Sequence, residues 1–244
     1  MLVIRAHQLQ QLSRARLEQF AHERRLHALR HHPQLSHFIG DAALRRAVAA
    51  GITGARARGL HNRVEVALYL ELALLLGSGF ADDPRCPWAA TLLAPGCPGS
   101  PLFRMRRTVE AATDWLDASH GPENTHLVRG LLRIRALTPA SFASAADAPG
   151  IVGWLAALLP QQAAACGAGA MHTLAEAALD RAARHGMTAP GDAATFALHQ
   201  FMLGSAFDND PLVPWAGPIL AAGGSTRAAD LFAASCRYLD AVLH

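Results

Sequence analysis

The stretch Gly77-Ser-Gly-Phe-Ala-Asp-Asp-Pro-Arg-Cys-Pro-Trp88 recurs 127 positions later as Gly204-Ser-Ala-Phe-Asp-Asn-Asp-Pro-Leu-Val-Pro-Trp215. The match continues without a gap, pairing residues 40–96 with residues 167–223, and 18 of these 57 pairs are identical. Glycine, proline and tryptophan are prominent among the identities, and the alanine-rich composition does not account for them. The sequence therefore indicates an internal duplication.

Once small gaps are allowed, the repeat extends to both ends of the chain. Leu2–Ala6 resembles Leu132–Ala136, and Trp115–Ala118 resembles Tyr238–Ala241. Hydrophobic residues make up 51% of the chain but aromatic residues only 6%, which favours helices packed through small and aliphatic side chains. We predict an all-α fold of two homologous helical repeats, packed as a pseudo-two-fold pseudo-dimer. The predicted domains are 1–122 and 127–244. A further hypothesis is that Leu2–Arg5 and Leu132–Arg135 pair as a short two-stranded ribbon.

Start and stop signals for helices recur in both copies. A glycine, Gly59 in copy one and Gly186 in copy two, stands where a left-handed residue would end the second helix of the repeat. Asn62 followed by Glu65 fits a capping box, so a third helix is expected over about 63–76. Its apolar residues lie on almost every side, which predicts a buried central helix.

The repeated string predicts a rigid turn. An aspartate can accept backbone donors at a helix start, a proline fixes φ in the first turn, and a tryptophan anchors the short helix that follows. The alternative is a metal or acid–base site formed by Asp82, Asp83, Asp208 and Asp210. We interpret the motif as structural; its residues are Phe80, Asp83, Pro84, Pro87, Trp88, Phe207, Asp210, Pro211, Pro214 and Trp215.

The two copies differ most in their first helical region. All 22 basic residues are arginines, and residues 1–60 hold ten of them against three acidic residues. This region lacks the dense basic run with interleaved aromatics of a nucleic-acid binder, so no nucleic-acid partner is expected. The matching region of copy two is apolar around Trp154 and either packs between the copies or docks a partner. The predicted partner-binding residues are Arg14, Arg16, Arg24, Arg25, Trp154, Leu155 and Leu158.

The sequence carries no recognisable motif for catalysis, metal binding or membrane insertion. The four cysteines have no CxxC spacing, and no nucleophile elbow or phosphate-binding loop is present. His27 and His31 have a metal-compatible i, i+4 spacing, but solvated histidines near a helix end explain them better. We therefore predict no enzyme activity, cofactor or metal. Apolar runs are too short for a signal peptide or membrane span, which favours a cytoplasmic protein.

The motif Gly-x-x-Phe-x-x-Asp-Pro-x-x-Pro-Trp, present at Gly77–Trp88 and Gly204–Trp215, resembles a small helical family associated with type VI secretion and polymorphic-toxin gene clusters. The Ile-Arg start with Gln8 soon after and the turns at Arg58–Leu60 and His185–Thr188 also resemble that family. Its members look like single-copy proteins of about half this length. The chain thus resembles a fused tandem of the family.

The resemblance implies an accessory role in secretion. The expected function is an adaptor or chaperone that binds a secreted effector or a spike component, without catalysis. An immunity protein that neutralises a toxin is the alternative, although such proteins usually present a strongly acidic face and this chain carries a net charge of +3. A metal-dependent enzyme is the third and weakest hypothesis. The expected partner is a protein, and a homo-oligomer is possible.

Overall fold

The structure is a computed structural model that describes residues 6–143, 145–189 and 191–243. Within these ranges the chain forms helices, turns and loops but no strand, so the predicted all-α class is confirmed. The first half contains α1 (Ala6–His31), α2 (Pro33–Ala57), α3 (Arg63–Leu76), α4 (Pro87–Leu92) and α5 (Pro101–His120). The second contains α6 (Thr125–Arg135), α7 (Ala148–Leu158), α8 (Pro160–Cys166), α9 (Ala168–Arg184), α10 (Asp192–Leu203), α11 (Ala216–Ala222) and α12 (Arg227–Leu243).

The predicted helix ends are largely observed. Gly59 and Gly186 both adopt positive φ, at 73° and 68°, and end α2 and α9 as expected. Asn62 and Glu65 form the capping box that starts α3, which runs over the predicted range. In copy two, the equivalent helix α10 begins at Asp192, whose carboxylate accepts a hydrogen bond from Ala189 N.

The structural similarity between the copies begins before residues 40 and 167, where the ungapped sequence alignment starts. α2 starts at Pro33 and is kinked at Gly40 (φ 78°, ψ 162°), whereas its counterpart is divided into α8 and α9 at Gly167 (φ 82°, ψ 156°). The equivalent proline, Pro160, begins α8. Because these φ and ψ values are open almost only to glycine, Gly40 and Gly167 impose the same bend on the two copies.

The predicted ribbon is wrong in copy two. Leu132–Arg135 belongs to α6, and Leu2–Arg5 lies outside the described residues. In α6, Leu131 and Ile134 are buried while Leu132 is 62% exposed. Apolar residues therefore follow the helical spacing of three to four, and this amphipathic face is buried against the core of copy two.

Three hydrophobic clusters stabilise the described fold. One is built from residues between Phe20 and Ala112, and a larger one from residues between Leu131 and Leu239. A smaller third cluster joins α1 and α2 to Leu212 of the other half. Contacts between the halves are made where α2 packs on α12 and where α8 packs on α5. The division into domains 1–122 and 127–244 stays a prediction. In the part of the chain that is described, no helix is both long and apolar enough to span a membrane.

Candidate functional site

The two motif aspartates each bind the other copy. Asp83 accepts a hydrogen bond from Ser205 N at 2.8 Å, and Asp210 accepts one from Ser78 N at 2.7 Å. Ser78 and Ser205 are 127 positions apart, as are the aspartates, so these two contacts are reciprocal. Asp210 accepts a further bond from Ser78 Oγ at 2.6 Å. The repeated motif therefore lies at the junction between the copies.

The glycines of the motif allow the backbones to approach closely at this junction. A Cβ added at Gly77 would lie 3.0 Å from the carbonyl oxygen of Leu203, and one at Gly204 would lie 3.5 Å from that of Leu76. A Cβ at Gly79 would lie only 2.9 Å from the Cβ of Ala206, its own counterpart. These contacts are related by the same shift of 127. We therefore interpret this junction as the position of a pseudo-two-fold axis.

One charged residue breaks this symmetry. Arg85 is 5% exposed and binds Asp83 through Nε and Nη2, with its Nη2 2.9 Å from Asp83 Oδ2. It also donates to the carbonyl oxygens of Leu76 and Phe201, both at 2.9 Å, which lie at the C-terminal ends of α3 and α10. The counterpart of Arg85 is Leu212, which is also buried. A single guanidinium therefore satisfies helix ends from both copies.

The four aspartates considered as a metal or acid–base site are engaged elsewhere. Asp82 pairs with Arg58 at the surface, and Asp208 pairs with Arg181 and His185. Asp83 and Asp210 instead accept from the backbone N–H two residues on, and neither caps the short helix that follows, which corrects that detail of the predicted turn. Burial raises the pKa of Asp210, and its hydrogen bonds oppose that effect.

The arginines predicted to bind a partner differ in their surroundings. Arg14 is highly exposed and pairs with Glu18 one turn away, and Arg16 is exposed. Arg25 is ion-paired with Asp41 of α2, and Arg24 is half-buried with its guanidinium carbon 5.7 Å from the centre of the Phe20 ring. Arg25 thus helps to attach α1 to α2, and Arg24 packs along α1 itself, whereas Arg14 and Arg16 face solvent.

The apolar strip of copy two belongs mainly to that copy's core. Leu155 is fully buried and forms part of the larger hydrophobic cluster, so its side chain packs in the core of copy two and does not reach the surface where a partner was predicted to bind. Trp154 and Leu158 are half-buried, and Trp154 packs on Phe142 with ring centroids 5.3 Å apart. α7 packs chiefly on α8 and α9, which places the strip inside copy two instead of between the copies.

The histidines of α1 are partly engaged rather than simply solvated. Glu71 of α3 contacts His27 Nε2 at 3.0 Å and His32 Nε2 at 3.3 Å. The hydrogen bond from His32 is the main cause that lowers the pKa of Glu71, while burial lowers the pKa of His27. Glu71 thus connects the end of α1 to α3. Among the described residues, no group of three or more His, Cys, Asp or Glu side chains could hold a metal ion.

The cysteines do not form disulfides, and two of them are deeply buried. Burial raises the pKa of the Cys86 thiol to about 12 and that of Cys166 to about 11. Because the thiolate is the reactive form, both side chains are held in an unreactive state near neutral pH.

Sequence reasoning did not single out Arg85, Ser78, Ser205 or Glu71. A signal existed for Arg85, because it is the one basic residue inside a motif whose counterpart carries leucine. The serines are among the identical pairs, but their role depends on which backbone faces them. The chain matches no protein-family model, no curated protein and no solved structure in the comparisons made.

Proposed function

We propose that this protein is a non-catalytic adaptor or chaperone that binds a secreted effector of a type VI secretion system. The motif resemblance supplies the context for this proposal. The structural observation that supports it best is the exposure of Ser13–Arg16 in α1; among the side chains that the structure describes there, Phe20 is the first that is buried.

α1 is attached to the rest of the protein mainly through its second half. Phe20 and Ala28 are buried, and α2 is the main element on which α1 packs. The surface of α1 combines the exposed arginines Arg14 and Arg16 with two exposed leucines, Leu26 (45%) and Leu29 (38%). A basic helix with apolar side chains suits a partner surface that is acidic and partly apolar.

Co-expression with the effector encoded beside this protein tests the role. A stable complex and a higher soluble yield of the effector are expected from an adaptor or chaperone. Failure to recover a complex with either that effector or the spike component would contradict the proposal. If the protein instead protects cells from the toxic activity of the effector, without improving its solubility or delivery, the immunity role replaces the adaptor role.

Charge reversal tests the surface. Arg14→Glu combined with Arg16→Glu is expected to weaken effector binding at least about tenfold, because both charges would then repel an acidic partner. Arg106→Glu combined with Arg107→Glu is the matched control, since these arginines are also exposed but lie on α5. Equal losses in the two double variants would show that net charge, and not α1, determines binding.

A further inference from the structure

A cavity of about 240 Å³ lies between the two copies. Equivalent residues of both copies line it, including the pairs Leu35 and Gln162, Leu76 and Leu203, and Trp115 and Tyr238. The first two pairs are related by the shift of 127, and the third by the shift of 123 found for the closing helices. The cavity is therefore formed by the duplication itself and lies next to the reciprocal aspartate contacts.

The walls are mostly leucine and other aliphatic side chains, and α6 covers one side with Leu131 and Ile134. Leu75, which is 54% exposed, is the most exposed of the lining residues, so we place the opening of the cavity there.

One polar atom of the lining residues is buried without a hydrogen-bond partner: Gln162 Oε1, an acceptor. Trp115 Nε1, a donor of another lining residue, lies beside the weak acceptor Cys166 Sγ. An unsatisfied buried polar atom is unusual and costs about 1–3 kcal/mol. The counterpart of Gln162 is Leu35, so an apolar residue is compatible with the equivalent position, and the glutamine is not required by the helix itself.

The cavity offers little to balance a charged ligand. Arg85 lines it, but its charge is already balanced by Asp83 in a buried pair. His120 also lines it, and burial lowers the pKa of this imidazole, which favours its neutral form. A charged group entering this environment would lose its hydration without gaining an opposite charge.

We propose that this cavity binds a small neutral molecule, mainly hydrocarbon, with one hydroxyl group that donates a hydrogen bond to Gln162 Oε1. A hydroxyl supplies the donor that this unpartnered acceptor lacks, and it carries no charge. An apolar cavity of about 150 Å³ accommodates benzene, which has six carbon atoms. In the same proportion, the cavity of about 240 Å³ accommodates a ligand of about ten non-hydrogen atoms. This site is independent of the effector-binding surface proposed on α1.

Isothermal titration calorimetry of the full chain with 1-octanol tests the proposal. The expected dissociation constant is about 10–100 μM, within the range of binding energies per atom for small ligands. Octanoate is the matched charged probe and is expected to bind at least about tenfold more weakly. Absence of 1-octanol binding, or tighter binding of octanoate, would overturn the proposal.

Two variants locate the site. Leu203→Phe, which adds volume to the wall, is expected to reduce 1-octanol affinity at least about tenfold, whereas Leu132→Phe on the exposed face of α6 leaves it unchanged. Gln162→Leu installs the copy-one residue and is expected to reduce the affinity about fivefold through loss of one hydrogen bond. If Leu203→Phe does not fold, Gln162→Leu decides alone. Wild-type affinity in a folded Leu203→Phe protein, or in Gln162→Leu, would overturn the assignment.

Discussion

Asp83 and Arg85 form the most demanding contact of the described structure, because both side chains are almost completely buried. Charges removed from water are tolerated when they are paired and when their remaining hydrogen-bonding atoms are satisfied. Here the backbone of Ser205 and the carbonyl oxygens of Leu76 and Phe201 supply the additional bonds. The pair therefore links helix ends of the two copies through groups that are costly to separate.

Asp83→Asn is expected to lower the free energy of unfolding by about 3–5 kcal/mol, because it leaves the Arg85 charge buried without its partner. Urea denaturation followed by circular dichroism measures the change. Asp82→Asn is the matched control at the adjacent position. Asp82 is exposed and pairs with Arg58 at the surface, so its replacement is expected to cost less than about 1 kcal/mol. Similar costs for the two variants would contradict the role assigned to the buried pair.

Arg85→Leu is expected to cost less than half as much as Asp83→Asn. The leucine reproduces the residue of copy two, and Asp83 keeps the backbone donors that Asp210 uses without an adjacent arginine. The same denaturation experiment compares the two variants. A larger loss for Arg85→Leu would mean that capping of Leu76 and Phe201 outweighs the charge pairing.

His199 predicts a pH dependence of stability. It is fully buried, and burial lowers its pKa in the folded state below the value of about 6.5 typical of an unfolded chain. The unfolded state therefore binds the proton more readily, and the free energy of unfolding falls as pH drops below about 6.5. His199→Leu, which installs the counterpart Leu72, is expected to reduce the loss between pH 7.5 and 5.5 by about 1 kcal/mol. His172→Leu, at an exposed position of α9, is the matched control, and an undiminished loss in His199→Leu would refute the assignment.

At the scale of elements, the bends at Gly40 and Gly167 position the first segment of each repeat against the other copy. Gly40→Ala is expected to destabilise the protein by about 1–3 kcal/mol, because alanine is strained at φ 78° and ψ 162° even though no atom lies within 4 Å of the added Cβ. Gly153→Ala provides a control of opposite sign: this glycine is exposed within α7, where alanine favours the helix by about 0.5–1 kcal/mol. Thermal denaturation of both variants measures the difference. Equal stability of Gly40→Ala and the parent protein would show that the bend is not held at this glycine.

The elements also show which sequence signals were sufficient. α3 was predicted to the residue because Asn62, Glu65 and Gly77 are local signals that act through the backbone beside them. Part of α6 was wrongly predicted as a strand, because its short apolar run resembles the start of the chain. Its helical structure depends instead on the packing of its apolar face on the core of copy two. The bends at Gly40 and Gly167 could not be predicted from the sequence. The segments before them share the proline pair Pro33 and Pro160 but are otherwise little alike between the two copies.

At the scale of the whole molecule, the identity between the two halves was evident from the sequence, but the contacts between them were not. The turn motif predicted its own local structure, whereas the partners of Asp83 and Asp210 depend on how two distant segments meet. The cavity was unpredictable for the same reason, because its lining residues come from positions far apart in the chain. The arginines of α1 were recognisable as candidates, but only the structure separates the exposed Arg14 from Arg25, which pairs with Asp41.

The close approach of Gly79 to Ala206 allows a direct test of the pseudo-two-fold interpretation. Gly79→Ala is expected to cost about 1–3 kcal/mol through overpacking, because its Cβ would lie 2.9 Å from that of Ala206. Adding Ala206→Gly exchanges the two residues across the axis and should recover at least about 1 kcal/mol. A double-mutant cycle from urea denaturation gives this coupling. Additive effects of the two substitutions would contradict direct contact between these positions.

The arginine at position 85 and the leucine at position 212 have an evolutionary consequence. In a homodimer, each substitution occurs twice, so the two sides of the axis cannot acquire different chemistries. A single chain has no such restriction, and here one side supplies the guanidinium while the other supplies an aliphatic side chain. Because helix ends of both copies are bound by that one guanidinium, neither half alone carries the complete set of central contacts.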